Sequence, residues 1–113
     1  MTEMTRQESQ EAIGFSCGWR FSDHWAFDHN SLTELIRELS IPRIKGIVKT
    51  DDGWLVINKM QKYLSIEPLK TNQVKDEKNQ TGLKMISALS ADWDEIERLL
   101  INCRSLSVGV DIV

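Results

Sequence analysis

Residues 31–60 read SLTELIRELSIPRIKGIVKTDDGWLVINKM, and this stretch decides the fold. Leu32, Leu35, Ile36 and Leu39 recur at the spacing of one helix face, so the first part predicts an amphipathic helix. Ser31 and Glu34 stand at capping-box spacing, with Asp28 as an alternative cap one turn earlier. Pro42 stops the helix, because its ring disfavours helical geometry at the residue before it. Arg43–Thr50 and Trp54–Met60 then read as two strands. Asp51-Asp52-Gly53 between them has the residues a tight hairpin turn needs.

Upstream, Ile13, Phe15, Cys17, Trp19 and Phe21 alternate with small or polar residues, the period of a strand with one buried face. Residues 1–11 are polar without a sustained period and read as a flexible arm. Residues 22–30 read as a loop. Downstream, Tyr63–Glu67 predicts a further strand, residues 70–81 a polar loop, and Leu83–Leu89 another strand. Trp93, Ile96, Leu99, Leu100 and Cys103 predict a second amphipathic helix, with Asp92 and Glu95 at capping-box spacing. Residues 105–113 read as a tail, either a short strand or a disordered end. The order is β-α-β-β-β-β-α. The simplest way to bury these surfaces is an α+β fold, an antiparallel sheet of about five strands with both helices on one face.

The chain's 113 residues match one domain, placed here at residues 12–104. With 41% hydrophobic and 27% charged residues, the composition excludes a wholly disordered chain. A net charge of −3 argues against general nucleic-acid binding, which calls for a strongly basic face. Apolar runs do not exceed four residues, against the roughly 18 of a membrane span. The polar lead MTEMTRQESQ reads as an ordinary start without the apolar core of a signal peptide. Two isolated cysteines, Cys17 and Cys103, form no C-x-x-C pair, and reduced cytoplasm is the expected compartment.

Asp23, His24, Asp28 and His29 are the densest cluster of ligand-type side chains, and imidazoles with carboxylates suit zinc or a related ion. Their spacing matches no established metal motif, and capping and solvent exposure account for the same residues. Cys17 and Cys103 fall on apolar phases, as inert core thiols do, so no catalytic residue is assigned. Trp19 and Trp93 also fall on apolar phases. Trp25, in the polar loop, and Trp54, just after the turn, are candidate interface anchors, or rings covering the rim of the core. Arg43 and Lys45 alternate with Ile44, and Lys49 continues the phase. This basic row suits an acidic protein partner, including an acidic loop of a linked domain; a solvated strand face is the plainer alternative.

An R-x-K-G segment opening a strand, after a helix introduced by Phe-Asp, resembles the C-terminal domain of CobW-type proteins. The matching pieces are Phe27-Asp28, then Leu32, Leu35 and Leu39, then Pro42-Arg43-Ile44-Lys45-Gly46-Ile47. The strand after Asp51-Asp52-Gly53, the Leu83–Ala88 strand and the Trp93–Cys103 helix follow in the family's order. The resemblance implies a non-catalytic accessory domain. In such proteins a P-loop GTPase domain carrying a metal-binding cysteine motif precedes it, and GTP hydrolysis drives metal delivery to a client. This sequence has neither motif, so the resemblance implies no catalytic residue and no cofactor in this chain. It implies a protein partner, a GTPase domain or a metal-receiving client, with Arg43, Lys45 and Gly46 as contact candidates alongside Trp25 and Trp54. A stand-alone protein-binding module and a small metal-binding protein using His24 and His29 are the alternatives.

Overall fold

The computed structural model describes residues 3–70 and 81–105. The elements run β1 (Met4–Glu11), β2 (Gly14–Phe21), α1 (His29–Glu38), β3 (Arg43–Thr50), β4 (Gly53–Met60), β5 (Tyr63–Pro68), β6 (Gly82–Ser87) and α2 (Trp93–Asn102). The α+β class and the antiparallel sheet are as expected, with six strands rather than about five, in the order β1-β2-β6-β3-β4-β5. The loop read over 70–81 and the tail read over 105–113 lie outside the described residues except at their ends.

The additional strand is the segment read as an arm. Residues 4–11 pair with the whole length of β2, from Met4 opposite Phe21 to Glu11 opposite Gly14. An edge strand needs no apolar alternation, because its ladder supplies the backbone hydrogen bonds and most of its side chains meet water. Arg6 adds a brace from this edge to α2. Its guanidinium reaches Asp94 at 2.8 Å and Glu97 at 3.1 Å, and it also pairs with Glu8.

Alternation sorts the sheet into two sides. Cys17, Trp19 and Phe21 of β2, Ile44 and Val48 of β3, Leu55 and Ile57 of β4, and Leu83 and Met85 of β6 are all buried. Against them pack Leu32 and Ile36 of α1 and Trp93, Ile96 and Leu100 of α2. Trp19 meets Trp93 edge-to-face at 6.1 Å, and its ring N–H donates to Glu97 at 3.0 Å. Phe27, Leu32, Ile36 and Leu100 are fully buried. Each such side chain is worth about 1.5–3 kcal/mol, against about 0–1 kcal/mol for an exposed ion pair. Apolar stripes therefore dock the helices, and the Arg6 network ties only α2 to the edge strand.

Two boundaries differ from the periodic reading. Ile13 lies in the β1–β2 turn and Leu89 beyond β6, at 72% and 77% exposure, so their apolar phase runs past the ends of the ladder. The helix starts follow cap chemistry. Asp28, not Ser31, caps α1, accepting from the Ser31 N–H at 2.9 Å, and Asp92 caps α2 by accepting from the Glu95 N–H at 3.0 Å.

β6 enters between β2 and β3, antiparallel to both, so the β2-α1-β3 crossover straddles it. Gly46 makes this insertion possible. A Cβ there would stand 2.2 Å from the Gly82 carbonyl oxygen and 2.9 Å from the Leu83 Cα, both backbone atoms that cannot step aside. Gly46→Val should therefore destabilise the chain by about 3 kcal/mol or more, at or above the usual cost of overpacking. Lys45→Ala, one residue away on the exposed side, should leave the melting temperature nearly unchanged. Comparable small losses in thermal melts of the two variants would refute the packing role of Gly46.

Candidate functional site

Both helices lie on one side of the sheet, which leaves the other side of its strands open. Register places the open-side residues in rows. One row runs Gln7, Gly18, Lys84, Lys45, Asn58, Ser65 across the six strands. The next rows place Ile86, Arg43 and Met60 side by side on one flank, and Arg20, Gly82, Ile47 and Val56 on the other. Lys49 sits opposite Trp54 beyond them. The strands β2, β6, β3 and β4 contain no Asp or Glu, and their open side carries Arg20, Arg43, Lys45, Lys49 and Lys84.

These cations differ in their surroundings. Lys49 is half-buried and its ammonium donates to the Asp23 carbonyl at 3.3 Å. Arg43, Lys45 and Lys84 are exposed and make no hydrogen bond or ion pair among the described residues. Between them Ile47, Val56, Ile86 and Trp54 are half-buried, and Met60 and Tyr63 are exposed. The centre of this side forms a trough of about 860 Å³ whose lining includes Gly18, Gly82, Lys45 and Lys84.

The contact candidates divide accordingly. Arg43, Lys45 and Trp54 lie on the open side. Gly46 contributes only backbone to the trough, and its missing side chain would point among Gly82 and Leu83. Trp25 is not an exposed anchor. It is 4% exposed, packed at tilted angles against Phe21 and Phe27 at 5.1 and 5.8 Å, and covered by the Arg104 guanidinium at 4.3 Å. The polar look of residues 22–30 hid this burial, because the loop is stitched inward by backbone bonds. Phe27 N–H donates to the Lys49 carbonyl, Asp28 N–H to the Cys103 carbonyl and Ser105 N–H to the Ala26 carbonyl. Lys84 and Gly82 of the trough were not singled out from sequence. Lys84 between Leu83 and Met85 has the phase of an open-side residue, but its neighbours depend on strand order.

The ligand-type cluster is not assembled. Asp28 is spent on the helix cap, and its carboxyl is held below its usual range by the Ser31 backbone N–H and then the Ser31 hydroxyl. The His29 backbone N–H donates to the Asp51 carboxylate at 2.9 Å, the His24 backbone N–H to the Ser22 hydroxyl at 3.2 Å, and Asp23 offers its backbone carbonyl to Lys49. Cys17 is fully buried. Among the described residues no three His, Cys, Asp or Glu side chains gather around a metal-sized space. No helix among them is long and apolar enough to cross a membrane.

The fold and its open basic face define an α+β domain without an assembled chemical centre among the described residues. Residues 16–104 match the family model described as the cobalamin synthesis protein cobW C-terminal domain, and the chain belongs to that family. It is 29% identical over 89 residues to the zinc chaperone YeiR of Escherichia coli (strain K12). That match covers 79% of this chain and 26% of the relative, so the chain corresponds to about a quarter of its length. No solved structure matches the chain significantly.

Two outcomes follow from the geometry. Isothermal titration with Zn²⁺ should give no saturable heat, and His24→Ala should not change the trace; a stoichiometric heat lost in His24→Ala would restore the metal reading. Burial pushes the Cys17 thiol up to about 12 and raises that of Cys103 as well. Both thiols should react with Ellman's reagent only on unfolding, since thiolate is the reactive form. Rapid reaction of the native chain at neutral pH would contradict their burial.

Proposed function

We propose that this chain is a non-catalytic accessory domain of a CobW-type metallochaperone system, acting by contact with a GTPase domain or a metal-receiving client. The observation that carries the reading is the open side of the sheet, where three exposed cations without a partner among the described residues flank half-buried apolar residues. Family membership, and likeness to a quarter of a zinc chaperone, support the metallochaperone setting. The chain supplies binding and orientation. These 113 residues hold no phosphate loop and no cysteine metal motif, so the reading assigns them neither GTP chemistry nor metal ligation.

On this reading the basic row steers encounter and fixes how the partner sits, while Trp54, Ile47 and Val56 supply apolar area. The Arg43→Ala/Lys45→Ala double variant should weaken binding of the full chain to a CobW-type GTPase domain about tenfold in a titration. That corresponds to about 1.4 kcal/mol, within reach of two interface charges. Its melting temperature should stay within about 2 °C of the parent, as expected of surface substitutions. Unchanged affinity would remove the row from the interface.

A further inference from the structure

We propose that the trough on the open side takes an acidic protein segment, whose carboxylates are held by Lys45 and Lys84. This deepens the contact reading and rests on it. Lys45 of β3 and Lys84 of β6 are directly opposite each other in the ladder. Side chains so placed have Cβ atoms about 4.5–5.5 Å apart, and like charges there destabilise a sheet. Neither lysine meets an acceptor among the described residues. Three arginines on other parts of the fold are paired, Arg6 with Asp94 and Glu97, Arg98 with Glu95, and Arg104 with Glu3. The two opposed ammonium groups stand amid four strands without a carboxylate, in a trough that Glu11 of β1 also lines, and they meet no anion among the described residues.

The surroundings select the form of that anion. Gly18 lies beside Lys84 and Gly82 one row away, so side chains are missing where an incoming backbone would approach. Asn58 lies beside Lys45 and offers an amide to a peptide group or carboxylate. From Gly18 to Asn58 the row crosses three strand spacings, about 14 Å, the length of roughly four extended residues. Ile47 and Val56 border this track and suit an apolar side chain between acidic ones. A nucleic-acid backbone, with a charge at every step, would also meet Glu11, which lines the trough, and Glu67, which sits beside Val56. A short carboxylate-rich protein segment fits the charge, the length and the apolar border together.

The test uses the full chain, a labelled hexapeptide rich in Glu and Asp with one Leu, and its Gln/Asn counterpart. Lys84→Glu converts the opposed pair into a cross-strand ion pair. It should raise the melting temperature while weakening acidic-peptide binding at least tenfold. Lys84→Gln should weaken binding less. The Gln/Asn peptide should not bind, and added salt should weaken the acidic one. Equal binding of both peptides, no binding of the acidic peptide, or unchanged affinity in Lys84→Glu would overturn the proposal. So would tighter binding of tripolyphosphate or a single-stranded oligonucleotide than of the peptide. A CobW-type GTPase domain that binds parent and Lys84→Glu equally would remove the trough but leave the contact reading standing. Acidic-peptide binding without any GTPase-domain or client binding would instead remove that reading.

Discussion

The close approach of β3 and β6 at Gly46 is the constraint on which the rest of the domain depends. A side chain there would strike the Gly82 carbonyl and the Leu83 backbone, and β6 could not enter the sheet. β6 is the strand that joins the two halves. On one side it pairs with β2, which carries β1, and on the other with β3, which carries β4 and β5. Its buried Leu83 and Met85 complete the floor on which both helices rest. The same insertion sets Lys84 against Lys45 on the other side. Fold and candidate site thus share one cause.

Around that seam the ends are tied by shorter links. Asp28 and Asp92 cap the helices, Arg6 braces the polar edge strand to α2, and the 25–28 segment is held between Lys49 and the end of α2. Arg104 covers Trp25 and also pairs with Glu3, so the start and end of the described chain meet on one aromatic cluster. These polar links organise the covered side. The open side has few of them, and its exposed lysines are cations the fold leaves for something else.

The parts of this structure legible in sequence are those set by local pattern. The helix stripes from Leu32 and from Trp93, the Asp51-Asp52-Gly53 hairpin and the alternation from Phe15 to Phe21 follow from period and turn chemistry. Their order also carried the family resemblance. What was not legible depends on neighbours distant in sequence. β1 has no apolar period because an edge strand needs none, and Trp25 is buried by contacts with residues near positions 21 and 104. Ile13 and Leu89 keep the apolar phase after their partners have run out. For the candidate face, Arg43 and Lys45 could be read from their own strand. Lys84 could not be placed beside Lys45 without knowing that the last strand enters the middle of the sheet.

On the proposed function the domain works through the open side of its sheet. Lysine labelling of the full chain, alone and bound to a CobW-type GTPase domain or client, read by mass spectrometry, tests it most directly. Lys45 and Lys84 should lose reactivity in the complex, while Lys62 in the turn between β4 and β5 keeps its own. Undiminished labelling of Lys45 and Lys84, with protection at Lys62 instead, would place the interface elsewhere and contradict the account.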